Sequence, residues 1–447
     1  MSAGADLYRT VWRWHFYAGL FVIPFIAVLA TTGAIYLFKP QVERWEERAF
    51  QRLPVDGALS ADTQLKAVLE AFPDSKLLSY RLPERAGDAV AMVVTRPVSA
   101  AVETLHVFVS PQGQVLGSLA PESRIMAVVA RIHGQLLLGP QGSWLVELAA
   151  SWAIVMILSG LYLWWPRDRR LAGVLWTRLK RGGRVFWRDL HAVAGFWVSL
   201  FALCLLVTGL PWAAVWGSAF RTVRAEMGWM KGLQQWTIGG APAAVDNDAS
   251  HASHGVAQPA RSENARGDDL QAMVSIATRK GLAFPVVIIP PGAPQRFAAP
   301  VAAWTIKSDA QNRPLQSTIL YDPTTLQQLS REDFADRHPI DRVIGYGVAW
   351  HEGQLFGWVN QLIGVFTAIS LIALAVTGFV MWRQRKPESS LGAPSRTQRP
   401  IDARPFVLIL LLLALVLPML AISLVLVATL DRVIVRRNAR IANWLGA

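Results

Sequence analysis

Five stretches of this chain, residues 16–38, 144–165, 192–216, 355–382 and 406–430, are apolar for long enough to cross a hydrocarbon core, which takes roughly 20 residues in helical form. Inside lipid no water satisfies a peptide N–H or C=O, so such stretches must close their own hydrogen bonds as α-helices. The expected fold is that of a mainly α membrane protein with about five transmembrane helices, and the rest of the chain is to be placed on one side or the other of them. Glu147 is the only charged residue within these stretches. The first stretch exceeds the roughly 7–15-residue core of a secretory signal, and no small-residue cleavage pattern follows it, so it is expected to stay as a first helix.

The net charge of +13 would fit a nucleic-acid partner if it lay on one soluble face. Instead it flanks the spans. Arg167, Arg169, Arg170, Arg178, Lys180, Arg181, Arg184 and Arg188 lie between the second and third, and Arg383, Arg385, Lys386, Arg396, Arg399 and Arg404 follow the fourth. Short basic loops face the cytoplasm. That puts the N-terminus in the cytoplasm and the long polar segments 40–132 and 217–350 outside, in the periplasm of a bacterial inner membrane. Membrane lipid, not nucleic acid, is the partner that this charge implies. A fifth span in this series would put Arg432, Arg436, Arg437 and Arg440 outside, against the same rule, so its orientation stays open. The single cysteine, Cys204, lies within the third span and excludes a disulfide framework.

The chain repeats itself. Gly19 and Gly33 follow His15 by 4 and 18 residues, and Gly195 and Gly209 follow His191 by the same intervals. "IHGQLLLG" around His133 matches "WHEGQLFG" around His351, and a small-residue and glycine step ending in Gly160 or Gly378 comes 27 residues after each histidine. The repeated unit is helix, outside segment, helix, with residues 405–447 added at the end as a fifth helix and tail.

The outside segments are alike too. In the first, "ALSADTQLKAVLEAF" has helical periodicity and "LSYRL", "AVAMVVT", "TLHVFVS" and "QVLGSL" read as strands, with "SPQG" as a turn. In the second, "DDLQAMVSIATRKG" is the helix and "FPVVIIP", "AAWTIKS", "QSTILYD" and "QQLSRE" follow, with "DPTT" as the turn. Each is a small α+β module. The stretch beginning "GGAPAAVDNDASHASHG" reads as a linker before the second one.

In their order and duplication, "RWHFYAGL", "FVSPQGQVLG", "HGQLLLG", "SGLYLWWPR", "RDLHAVAGFW", "YDPTTLQQL", "HEGQLFG" and "TGFVMWRQR" resemble the PepSY-associated transmembrane family of bacterial iron-regulated inner-membrane proteins, which includes ferric-siderophore reductases. The resemblance implies two PepSY-like periplasmic modules and an oxidoreductase that reduces a ferric siderophore for iron uptake.

Of eight histidines, four have ordinary explanations. His106 falls in a predicted strand, His251 and His254 in the linker, and His338 beside an acidic stretch without a repeat partner. His15, His133, His191 and His351 each stand at the border of a span and each has a partner in the repeat. Ionisable groups at membrane depth are costly unless paired or bound, which makes these four functional candidates. With the spans oriented as above, His15 and His191 share the cytoplasmic level and His133 and His351 the periplasmic one, about 30 Å apart. Two facing imidazoles suit the iron of a porphyrin gripped from both sides, whereas zinc wants four protein ligands, or three and a water. The c-type attachment motif C-x-x-C-H is absent, leaving haem b, two per chain.

Residues i and i+4 share a helix face, so Gly19 and Gly195 could leave room for a flat macrocycle beside His15 and His191, and Gly33 and Gly209, five turns on, could do so at the other level. Close helix packing explains the same glycines. "GPQG", residues 139–142, should interrupt the helix that follows His133. Arg13, Arg188 and Arg131 could neutralise haem propionates or serve as interfacial anchors. No GxGxxG loop follows a strand, so the electron donor would be a separate cytoplasmic flavoprotein or a membrane quinol. A non-enzymatic iron or siderophore permease would need polar residues along a path, and an anchored periplasmic binding module would leave the histidine pairs unexplained.

Overall fold

The computed structural model describes residues 3–98, 101–166, 173–180, 182–229, 269–294, 300–394 and 404–446. His251, His254 and the linker holding them, with Arg167, Arg169, Arg170, Arg181, Arg396 and Arg399, lie outside the described residues. In chain order the helices are α1 (Ala3–Tyr36), α2 (Lys39–Glu46), α3 (Ala61–Ala71), α4 (Ile125–Gln135), α5 (Pro140–Trp164), α6 (Arg184–Gly209), α7 (Ala214–Glu226), α8 (Asp269–Lys280), α9 (Pro339–His351), α10 (Trp358–Arg385), α11 (Arg404–Val416), α12 (Pro418–Leu430) and α13 (Ala439–Leu445). The chain divides into two compact units, a helical one made of residues 1–37, 129–227 and 358–447, and one containing the strands, residues 38–128 and 228–357.

In the helical unit, α1 packs on α5 and α10, and α6 packs on the same two helices. The four long helices therefore close a ring in which the repeat partners α1 and α6 stand on one diagonal and α5 and α10 on the other. Together with Pro418–Val435 they are the five helices, among the described residues, that are long and apolar enough to cross a membrane. The protein is a multi-pass membrane protein. Gly139 and Pro140 open α5, so the "GPQG" interruption is real, and His133 rides on the separate α4. Glu147, the one charged residue of the apolar stretches, accepts hydrogen bonds from the backbone N–H groups of Val215 (2.8 Å) and Trp216 (3.0 Å) at the start of α7. A carboxylate there satisfies donors that a helix cannot pair internally and faces the positive end of its dipole.

The 406–430 stretch differs from the single span expected of it. Pro418 lacks the N–H that would continue the helix, and the chain turns at Leu417, giving two 13-residue helices, each about 20 Å long, that pack on one another. At the start of α11, Phe406 meets the rings of Trp14 and Tyr162 edge-on. Its far end, the Val416 carbonyl, accepts from the Trp216 indole. The chain then returns: Ser423 on α12 accepts from Trp152, and past α13 the carbonyls of Leu445 and Gly446 accept from Tyr17 (2.7 Å) and Arg13 (2.9 Å). Arg13 also donates to the Pro394 carbonyl. The C-terminus therefore lies at the membrane level of the N-terminal part of α1, and Arg432, Arg436, Arg437 and Arg440 return to the side of the other basic segments. This settles the orientation that the charge rule left in conflict.

The other unit contains strands β1 (Lys76–Arg81), β2 (Val90–Val98), β3 (Ala101–Val109), β4 (Val115–Leu119), β5 (Val286–Ile289), β6 (Trp304–Ser308), β7 (Ser317–Tyr321) and β8 (Gln328–Asp333). Each module has the expected helix followed by four strands. The two modules nevertheless form one antiparallel sheet, in the order β4-β3-β2-β1-β5-β6-β7-β8, joined where Tyr80 pairs with Ile288 and Arg81 with Val287. One core serves both halves: Val68, Met92, Val107, Met273, Ile288, Ile306 and Ile319 are fully buried in it. The helices α3 and α8 pack on each other and exchange caps, with Asp62 accepting from the backbone of Leu270 and Gln271, and the Gln271 side chain accepting from Ala61 N–H. Two four-stranded halves thus avoid exposing an inner edge and an uncovered apolar face.

Two outcomes follow. A reporter fused to the C-terminus is expected to read on the same side of the membrane as one fused to the N-terminus; opposite sides would contradict the return of α12. His106 lies in β3 opposite Val93 and Leu119. Burial, with Arg124 and Arg81 adding to it, holds its pKa down to about 4. The unfolded chain, with a histidine pKa near 6.5, takes up a proton first as pH falls, so stability is lost between about pH 6.5 and 4. His106→Gln should make this acid loss shallower, as read from denaturation midpoints of the full chain across that range.

Candidate functional site

His15 on α1 and His191 on α6 project from the opposed corners of the four-helix ring toward each other. Their ring centroids are 6.5 Å apart and their planes 85° from parallel. Each imidazole is held by a hydroxyl on a neighbouring helix: His15 Nδ1 lies 2.9 Å from Ser159 Oγ on α5, and His191 Nδ1 lies 2.9 Å from Thr377 Oγ1 on α10. Both hydroxyls already donate to a carbonyl of their own helix, Ser159 to Met156 (3.0 Å) and Thr377 to Leu374 (3.1 Å). A hydroxyl has one hydrogen to give. Ser159 and Thr377 must therefore accept from Nδ1–H, and this assigns each imidazole the tautomer whose Nε2 carries a bare lone pair. Among the described residues, Nε2 of neither histidine has a hydrogen-bond partner.

The residue after each hydroxyl is a glycine. A Cβ on Gly160 would stand 3.1 Å from His15 Cε1, tighter than ordinary packing, whereas one on Gly378 would stand 3.5 Å from His191 Cε1, an ordinary contact. The same device holds His133: its Nδ1 lies 3.0 Å from Thr32 Oγ1, which donates to the Val28 carbonyl, and a Cβ on Gly33 would stand 3.2 Å from His133 Cε1. The sequence displays the signal as a hydroxyl-glycine step in each of the four long helices of the ring, Thr32-Gly33, Ser159-Gly160, Thr208-Gly209 and Thr377-Gly378. What it does not display is which histidine meets which step: Gly160 and Gly378, paired by spacing with His133 and His351, touch His15 and His191. The hydroxyls of Ser159 and Thr377 were not among the expected site residues.

Gly19 and Gly195, which a macrocycle or close helix packing could explain, face the neighbouring helices. A Cβ on Gly19 would be 3.7 Å from Met156 Sδ, and one on Gly195 3.6 Å from a Leu374 methyl, ordinary contact distances across to α5 and α10. Gly209 is the last residue of α6 and His351 the last of α9, in the unit with the strands. His338 caps α9, accepting from Ile340 N–H. Arg131 lies on α4, two residues before His133. Arg188 pairs with the buried Asp189 (2.7 Å), as does Arg178 (2.6 Å).

The His15 and His191 pair can be tested for fit to a metal centre from its own dimensions. Two metal–nitrogen bonds of about 2.0–2.1 Å and two ring radii of about 1.1 Å put the centroids of ligands in line near 6.3 Å, against 6.5 Å found. Among the described residues no three His, Cys, Asp or Glu side chains come together as a metal site. His15 and His191 could supply two nitrogen ligands, and a metal held there would take its remaining ligands from elsewhere, as the iron of a porphyrin does. The residues fit that group.

The profile of the PepSY-associated TM region matches residues 12–385. The chain belongs to that family. The matched region holds α5, α6, α10, both modules and all but the first turns of α1, and so includes His15, Ser159, His191 and Thr377; α11 to α13 lie beyond it. No curated protein matches the chain.

Thr377→Val removes the acceptor of the His191 N–H while keeping the side chain's shape. The stranded N–H should cost about 1–3 kcal/mol, read as a lower thermal midpoint in detergent, whereas Thr377→Ser should stay near the wild type.

Proposed function

We propose that this PepSY-associated protein is a di-haem electron-transfer protein of the bacterial inner membrane, an oxidoreductase that reduces ferric siderophores on the periplasmic side. The observation that carries this reading is the pair of neighbouring imidazoles, each with Nδ1 committed to a hydroxyl and Nε2 without a hydrogen-bond partner among the described residues. Such second contacts fix the tautomer and orientation of a metal-binding histidine and raise its basicity.

His15 and His191 hold the first b-type group, and Ser159 and Thr377 keep their rings from rotating. Gly160 allows the close approach of His15. His133, set by Thr32 and Gly33 in the same way, is the ligand proposed for a second group. A haem held by these imidazoles would supply single-electron transfer. A flavoprotein or quinol on the side of the basic loops supplies the electrons. The siderophore as acceptor rests on the family resemblance, with the β-sheet unit as the surface that receives it.

The visible spectrum of the detergent-purified protein tests the reading. Two low-spin b-type haems per chain are expected, with His15→Ala and His191→Ala each losing the same one and keeping about half the absorbance. A colourless protein from haem-replete cells would sink the proposal. With dithionite-reduced protein, a ferric siderophore should reoxidise the haems and release ferrous iron to a chelator. If only a soluble cytochrome does so, the siderophore is removed from the proposal and the haems stay.

A further inference from the structure

The arginines around the N-terminal-side mouth of the helical ring fall into two groups. Arg13 is committed to the carbonyls of Pro394 and Gly446, and Arg188 to Asp189. These are two of the residues that sequence position singled out for propionates. Arg385 and Arg184 are different: among the described residues neither makes an ion pair. The Arg385 guanidinium is wedged over the rings of Trp12 (5.0 Å) and Phe16 (4.9 Å), and its Nε is buried without a hydrogen-bond partner. Arg184 is close enough for the two cations to repel. Two like charges held near each other, one of them partly desolvated with an unsatisfied donor, are unfavourable unless an anion lies between them.

Their positions say which anion. Arg184 precedes His191 on α6 by seven residues, and Arg385 follows Gly378, which touches His191, by seven residues on α10. Seven residues are two helical turns, about 10 Å along the axis and back on the same face. Trp12 and Phe16, which hold Arg385, bracket His15 on α1. Both cations therefore stand two turns from the imidazole pair, toward the chain's N-terminal side, on the faces that carry the site. We infer that Arg385 and Arg184 bind a propionate carboxylate of the haem held by His15 and His191. The inference rests on the proposed function and adds the orientation of the group: its propionate edge faces the side of the basic loops, where the donor delivers electrons.

Removing a cation beside the haem disfavours the ferrous state, which carries one positive charge fewer. Arg385→Gln and Arg184→Gln are therefore expected to lower the midpoint potential of the haem that His191→Ala removes, and to leave the other haem unmoved. A tenfold change in the ferric–ferrous equilibrium reads as about 59 mV for one electron. Arg184 is exposed, so its substitution does not disturb packing, and Arg385→Lys should fall between Gln and the wild type. Arg383→Gln, at the same helix end and exposed, controls for diffuse surface charge and should cause no shift. Potentials are measured in detergent and in vesicles with and without anionic lipid. A shift in all three supports the carboxylate. A shift confined to anionic vesicles assigns the anion to a lipid phosphate and overturns the inference, as does an equal shift in Arg383→Gln. Haems present with unchanged potentials overturn the inference alone, whereas a wild-type protein without haem removes the proposed function as well.

Discussion

An imidazole within a bundle of membrane helices is stable only if its N–H has a partner, and the hydrogen bond from Nδ1 to a helix-borne hydroxyl is the contact around which the helical unit is organised. It joins α1 to α5 through Ser159 and α6 to α10 through Thr377, two of the four sides of the ring. An unmatched N–H there would cost about 1–3 kcal/mol. The hydroxyl satisfies it without a charge, and it can accept only because its own hydrogen is spent on the helix carbonyl behind it. One short polar residue thereby positions a ring, fixes its tautomer and leaves the other nitrogen free to bind a metal.

At two of the steps the glycine after the hydroxyl keeps the ring within reach of it. An added Cβ would stand 3.1 Å from His15 at Gly160 and 3.2 Å from His133 at Gly33, so a larger residue there would push the ring away from its acceptor. At Gly19 and Gly195 an added Cβ would meet Met156 and Leu374 at ordinary contact distance. Spacing along one helix finds both kinds of glycine and cannot separate them, because the distinction lies in what the opposite helix presents.

Polar groups elsewhere in the molecule obey the same rule of local satisfaction. Glu147 in α5 is tolerated because the start of α7 brings it two N–H donors, and Asp189 because Arg178 and Arg188 close on it. Arg13 and Tyr17 spend their donors on the carbonyls at the chain's end, which ties the C-terminus to α1. Arg385 departs from it, half-buried, with an unpartnered Nε and without a counter-charge among the described residues, and so it carries an inference that the better-placed Arg13 and Arg188 do not.

The sequence by itself determined the helical spans, the duplication, the four histidines at span borders and the helix-and-strand order of each module, because run length, periodicity and spacing are properties of contiguous residues. It also contained the hydroxyl-glycine steps in plain view. Only the tertiary structure decided that Ser159 serves His15 and Thr377 serves His191, that two modules complete one sheet through β1 and β5, and that the last apolar stretch turns at Pro418 and comes back. Each of these depends on which segments become neighbours across the bundle or the sheet, and that choice is made by packing and hydrogen-bond satisfaction summed over residues more than a hundred positions apart.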